Sequence, residues 1–211
     1  MGWLDGLGGK LSLGVMADAK PAQAGGTLNL PNILTYGRVA AVPVVVALLF
    51  WPDRAWACWS ALGVFILAAI TDFFDGYLAR AWHQQSSLGR MLDPIADKLL
   101  VAAALLMLCA NGTLAGANIW AAIVILCREI LVSGLREYLA ELRVAVPVTR
   151  VAKWKTTAQL VALGFLIAGP AADEAVPGSH AAGVALLWIA AMLTLYTGWD
   201  YMRASYQYVG D

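Results

Sequence analysis

Charge is what this sequence has least of. Lys, Arg, Asp and Glu make up 13% of its 211 residues, against about 25% in an ordinary soluble domain. Basic and acidic residues number 14 each, so net charge points to no partner, and no nucleic acid is expected. Cysteine and histidine are nearly absent. Cys58, Cys109 and Cys127 are single, far apart and inside apolar segments. They form no CxxC and three cannot pair completely, which excludes a disulfide framework; they are expected to be buried small hydrophobes. His83 and His180 stand alone, and no Ser/His/Asp set for nucleophilic catalysis is visible. The N-terminus "MGWLDGLGGKLSLGVMADAK" lacks a basic start and a continuous apolar core, so it does not read as a signal peptide. Trp3, Leu4, Leu7, Leu11 and Val15 have helical spacing, whereas five glycines weaken that helix. A helix on the membrane surface and a disordered tail both remain open for residues 1–27. "AKPAQAGG" then reads as a linker to a domain over 28–211.

Apolar sequence is what the chain has in abundance. Hydrophobic residues make up 61%, and the mean hydropathy is +0.70. Apolar stretches recur near 33–50, 56–71, 99–110, 117–127, 156–169 and 181–198. With their polar ends added, each supplies the roughly 20 residues that cross a bilayer. The expected fold is all-α, an integral membrane bundle of six transmembrane helices. The segments at 51–55, 111–118 and 170–180 hold one basic residue, Arg54, while Lys10, Lys20, Arg80, Arg90, Arg143, Arg150, Lys153, Lys155 and Arg203 fall to the other side. The excess of Lys and Arg on one side puts both termini there, in the cytoplasm.

Against that background "TDFFDGYLARAWHQQSSLGRMLDPIADKLL" (71–100) carries four aspartates. Asp72 lies about 24 Å along a helix starting at Trp56, near the inner interface. "HQQSSLGR" (83–90) reads as a turn, and Asp93 and Asp97 open the next helix at the same depth. Asp72 and Asp75 are spaced i, i+3, and Asp93 and Asp97 i, i+4, so each pair shares a helix face. Up to four negative charges would meet there and repel one another. Hard divalent cations, Mg²⁺ or Mn²⁺ (or Ca²⁺), relieve that, and two metal ions are the natural inference. Pairing with Arg80, Arg90 and Lys98 is the plainer alternative, but three bases do not neutralise four acids. Gly76, Ala79 and Gly89 let a phosphate or another helix come close, and Arg80 adds a phosphate-binding guanidinium. Metals, small residues and arginine together suggest a pyrophosphate.

The run Asp72-x2-Asp75-Gly76-x2-Ala79-Arg80-x8-Gly89-x3-Asp93-x3-Asp97 resembles, without departure, the signature of the CDP-alcohol phosphotransferases. The resemblance implies a six-helix membrane enzyme, usually dimeric, with its site open to the cytoplasmic leaflet. It implies that Asp72, Asp75 and Asp93 bind two metal ions, and that Asp97 is the general base and a metal contact. Gly76, Ala79, Arg80 and Gly89 would hold the CDP-diacylglycerol, with Ser86 a further candidate. An acceptor hydroxyl would attack the phosphorus nearer the lipid, and CMP would leave.

"NLPNILTYGR" (29–38) opens the first span with Asn32, Thr35 and Arg38 on one face. A snorkelling arginine explains Arg38; a stripe lining the nucleotide or phosphate site explains all three. "CREILVSGLREYLAEL" (127–142) and "VTRVAKWKTTAQL" (148–160) repeat an Arg–Glu pair eight residues apart and then supply lysines. Arg128 and Arg136 with Glu129 and Glu137 read as salt-bridge sets. Arg136, Lys153 and Lys155 also add unpaired positive charge at the depth of the aspartates. Both segments resemble the bacterial phosphatidylglycerophosphate synthases, with their "REI…S…LRE…AE" run and "K-x-KT" helix start. That implies an anionic acceptor, sn-glycerol 3-phosphate, its phosphate held by Arg38, Arg128, Arg136, Lys153 and Lys155. Serine, inositol phosphate or phosphatidylglycerol are the alternative acceptors within the same family. A divalent-cation transporter is the rival of another class; it predicts polar residues across the whole bilayer or internal repeats, and neither is seen.

Overall fold

The structure, a computed structural model, describes residues 30–82, 87–142, 144 and 150–209; the side chains of 30–32, 72–82, 87–91, 93–94, 150, 152–153 and 207–209 lie outside that description. The described residues form six helices and no strand: α1 (Leu30–Leu49), α2 (Ala55–Trp82), α3 (Ser87–Ala110), α4 (Asn118–Glu141), α5 (Arg150–Ala175) and α6 (Ser179–Val209). Each expected apolar stretch lies in a separate helix. Two of them, Asn118–Glu141 and Ser179–Tyr206, are long and apolar enough to cross a membrane, and shorter apolar helices run over Ile33–Leu49 and Ala55–Thr71. The expected tail at 1–27 lies outside the described residues.

The core is aliphatic, with alanine where helices approach closely. Phe65, Ala61 and Ala68 of α2, Leu105 and Leu108 of α3, Leu163 and Leu166 of α5, and Leu187 and Ala190 of α6 are buried in it. α5 packs most extensively on α6, α1 on α2 and α3, and α4 on α6. Gly183 permits the α5–α6 approach: a Cβ there would sit 2.9 Å from Phe165 Cβ and 3.2 Å from Leu166 Cγ. α5 bends at Gly169–Pro170, where Gly169 takes φ +48°. A left-handed φ suits glycine, and proline has no N–H to continue the helix.

The end of the bundle remote from the aspartates is tied by polar side chains. Asn111 Nδ2 donates to the Leu49 carbonyl at 3.3 Å and its Oδ1 accepts from Thr113 N at 3.1 Å. Trp188 Nε1 donates to Asn118 Oδ1 at 3.1 Å, and His180 Nε2 bonds the Thr113 carbonyl at 3.1 Å. Asp173 accepts from the Gly178 and His180 amides and from the Ser179 hydroxyl, capping the start of α6.

Two expectations need correction. The turn expected over 83–90 is shorter, because α3 is already helical at Ser87. Cys58 is buried as expected and Cys109 partly so, but Cys127 is exposed. It lies among Ile123, Ile130 and Leu131, an outward face of α4 that is itself apolar. In a chain with an apolar exterior, an apolar neighbourhood does not imply burial.

Candidate active site

The signature falls on two regular helices. Asp72, Asp75, Gly76, Ala79 and Arg80 belong to the second half of α2, and Gly89, Asp93 and Asp97 to the first half of α3. Helical backbone at both pairs keeps the shared-face arrangement that their spacing predicts. Ser86 and the side chains of the other signature residues, Asp97 apart, lie outside the described residues. Among the described residues no three His, Cys, Asp or Glu side chains gather as a metal cluster; three of the four aspartates are not among them.

Asp97 shows what the site is built against. It lines a small pocket with Lys98 and Val101 of α3, Glu129 of α4, and Lys155, Thr156, Gln159 and Leu160 of α5. The polar wall from α5 follows from spacing, since positions 155, 156 and 159 fall on one helix face. Lys155 and Gln159 are buried, at 5% and 4% exposure. The Lys155 ammonium donates to Glu129 Oε1, and the Lys98 ammonium to the Ser133 hydroxyl, so each lysine is held by a residue of α4.

This revises the expected group of unpaired cations. Lys155 is at the pocket but ion-paired with Glu129. Arg128 stands one contact further away: Nη1 is 3.4 Å from Glu129 Oε1, and Nη2 donates to Thr197 Oγ1 at 3.0 Å. Its stem lies against α6 where Gly198 has no side chain; a Cβ there would be 3.0 Å from Arg128 Cγ. Glu129 thus joins α4 to α5, and through Arg128 to α6, which is the salt-bridge role expected of it. Arg136 does not line the pocket; it is exposed two helical turns beyond, its guanidinium 6.0 Å from the centroid of the Tyr201 ring. The Lys153 side chain lies outside the described residues, as does that of Asn32.

Thr35 and Arg38 are each 1% exposed on α1, the helix that packs on α2 and α3. Arg38 therefore faces the bundle and does not snorkel. The polar pocket residues that sequence reasoning did not single out for the site are Lys98, Glu129, Thr156 and Gln159. The signal for the last two was available: a polar face of α5 that continues Lys155 by one turn.

A second, larger and apolar groove adjoins this pocket. Phe65, Ile66, Ala69 and Ile70 of α2 and Thr157, Leu160, Val161 and Gly164 of α5 line it, and Leu160 belongs to both. A polar, charge-bearing pocket thus opens beside an apolar one.

Most of the chain also matches known proteins. Residues 28–196 match the family model "CDP-alcohol phosphatidyltransferase". The chain is 44% identical, over 87% of its length and 98% of the relative's, to a protein of Cereibacter sphaeroides named CDP-diacylglycerol–glycerol-3-phosphate 3-phosphatidyltransferase. A Rickettsia bellii protein of the same name is 45% identical over 85% of this chain and 97% of its own. A rice protein named cardiolipin synthase (CMP-forming) is 40% identical over 83% of this chain and 57% of its own length. With the family model covering most of its length, on helices that carry every residue of the signature, this chain belongs to the CDP-alcohol phosphatidyltransferase family.

Proposed function

We propose that this protein transfers the phosphatidyl group of CDP-diacylglycerol to sn-glycerol 3-phosphate, giving phosphatidylglycerophosphate and CMP. The observation that carries the reading is the pocket in which Asp97, the last residue of the signature, meets Lys98 and Lys155. A proton acceptor and two cations side by side suit an acceptor with both a hydroxyl and a phosphate. The names of the bacterial relatives support the same acceptor.

Asp97 accepts the proton of the acceptor hydroxyl. The oxygen so released forms a bond to the phosphorus nearer the lipid, and the bond from that phosphorus to the anhydride oxygen breaks, so that CMP leaves. Lys155 and Lys98 of the pocket, with Lys153, draw the acceptor phosphate, and Arg128, Arg136 and Arg38 add positive charge further from it. Asn32, Thr35, Gly76, Ala79, Arg80, Ser86 and Gly89 hold the CDP-diacylglycerol. The family is generally dependent on divalent metal, and the donor set fits: Asp72, Asp75, Asp93 and Asp97 offer only hard carboxylate oxygens from two regular helices. They would hold two ions, Mg²⁺ or Mn²⁺, which when bound offset the charge of the pyrophosphate oxygens.

The protein spans the bacterial cytoplasmic membrane with all six helices, with both termini and the site on the cytoplasmic side. Exposed aromatic residues support this. Trp51, Trp56, Trp59 and Trp120 ring the end remote from the site, while Tyr138, Trp154, Trp199 and Tyr206 ring the site end. Such girdles sit at the two membrane interfaces. A homodimer is part of the reading, and the exposed apolar faces of α3 and α4 (Leu106, Ile123, Ile130) are available to a second copy or to lipid.

The test is the purified protein with CDP-diacylglycerol, Mg²⁺ and a panel of glycerol 3-phosphate, serine, inositol phosphate and phosphatidylglycerol, with CMP measured. CMP release with glycerol 3-phosphate is expected. Release only with phosphatidylglycerol would refute the acceptor and leave the family intact. Metal uptake into liposomes without CMP formation would favour the transporter.

A further inference from the structure

Gln159 is a polar pocket residue with no part in the transfer proposed above. It is 4% exposed, lies one helical turn from Lys155 on the same face of α5, and lines the pocket that Asp97 lines. Among the described residues no hydrogen bond reaches its side chain. The residue is buried but its amide is not sealed off: it is not among the buried unpaired polar atoms, so it keeps contact with the pocket and can bond what enters it. An uncharged amide with one donating and one accepting end matches a hydroxyl, which both donates and accepts. It matches neither a phosphate nor a cation as well as the lysines and aspartates beside it do.

Glycerol 3-phosphate presents three groups to such a pocket: a terminal hydroxyl that reacts, a phosphate, and a central hydroxyl that does not react. Asp97 takes the first, and Lys155 with Lys98 takes the second. We propose that Gln159 binds the central hydroxyl and so sets the acceptor's specificity and handedness. This rests on the acceptor proposed above. The central carbon is the stereocentre, so a group that holds its hydroxyl between a fixed base and fixed cations makes three-point contact. Gln159 acts through substrate contact alone and moves no proton.

The experiment compares wild type with Gln159→Met, which keeps length and volume without the amide, and with Gln159→Glu as a second variant. Each is assayed by CMP release with sn-glycerol 3-phosphate, with its mirror image sn-glycerol 1-phosphate, and with 3-hydroxypropyl phosphate, which lacks the central hydroxyl. Wild type should prefer sn-glycerol 3-phosphate over the deoxy acceptor by about ten- to a hundredfold in kcat/KM, the worth of one buried hydrogen bond and the amide it leaves unpaired. Gln159→Met should lose that preference by slowing only the hydroxylated acceptor, and the two mirror images should converge. Gln159→Glu should regain part of the preference, since its carboxylate still accepts from the hydroxyl. An equal loss on all three acceptors means that Gln159 only packs, and overturns the inference. No loss on any of them overturns it as well. If wild type releases CMP with serine or phosphatidylglycerol and none with sn-glycerol 3-phosphate, the acceptor reading fails first and takes this inference with it.

Discussion

Replacing Lys155 by methionine separates the acceptor role of this residue from its structural one. Methionine keeps most of the aliphatic stem and removes the ammonium that donates to Glu129. Breaking a fully buried ion pair costs about 3–5 kcal/mol. Here the cost should be well below that: the Glu129 side chain is 20% exposed and keeps Arg128 Nη1 at 3.4 Å. The variant should therefore fold. Its functional loss is one charge-assisted hydrogen bond to the acceptor phosphate, about 1.5–3 kcal/mol, or about ten- to a hundredfold in affinity. The loss should appear as a raised KM for glycerol 3-phosphate, with the KM for CDP-diacylglycerol nearly unchanged. Steady-state CMP release, with each substrate varied in turn, measures both, and a melting curve in detergent measures folding. If both KM values rose together, or if only the melting temperature fell, Lys155 would be a structural cation and the acceptor would bind elsewhere.

Asn in place of Asp72, Asp75 or Asp93 should lower turnover by orders of magnitude, and chelation of wild type should do the same until Mg²⁺ or Mn²⁺ returns; full activity in excess chelator would refute the metal requirement. Asp97→Asn should lose turnover while retaining CDP-diacylglycerol binding, measured separately on the same preparation. Gly183→Ala should destabilise by about 1–3 kcal/mol through overpacking, because its Cβ would meet Phe165 Cβ at 2.9 Å; a lower melting temperature with unchanged KM values is expected. Hydrogen bonds from the His180 and Gly178 amides and the Ser179 hydroxyl, the His180 amide foremost, hold the Asp173 carboxyl below its ordinary value. A depressed value means stability present above the unfolded-state pKa, near about 3.9, and lost as pH falls through the folded-state value. Asp173→Asn should therefore flatten the acid limb of the melting temperature between wild type and variant, and identical acid limbs would refute the cap.

The helices and the signature were legible in the sequence because both are local. Apolar stretches are contiguous, and the Asp72–Asp75 and Asp93–Asp97 spacings need only a helix to acquire a shared face. What surrounds Asp97 was legible only in part, because it comes from three helices. Glu129 and Lys155 are 26 residues apart and Lys98 and Ser133 are 35 apart, and no local period encodes such a pairing. Lys155 therefore read as unpaired, and Lys98 entered only the plainer alternative, as a partner for the aspartates. Cys127 failed for a different reason. Amphipathic patterning separates the core face from the solvent face in a water-soluble helix. It loses that power in α4, where outward Ile123 and Ile130 and inward Ile125 and Val132 are equally apolar.

The charge balance around Asp97 bears on how an anionic acceptor is recognised. The pocket contains two acids, Asp97 and Glu129, and two bases, Lys98 and Lys155, so its own side chains nearly cancel. A lysine waiting alone in so buried a position would be costly; paired with Glu129, it is held in place and already stripped of most of its water. An arriving phosphate then meets an ammonium whose desolvation has already been met by the fold, the condition under which an electrostatic contact contributes most. It must also compete with a carboxylate for that ammonium. A phosphate with about two negative charges competes against one far better than a neutral or zwitterionic acceptor does, since the interaction scales with the charge. Glu129 on this reading raises selectivity for a dianionic acceptor by weakening every acceptor of lower charge.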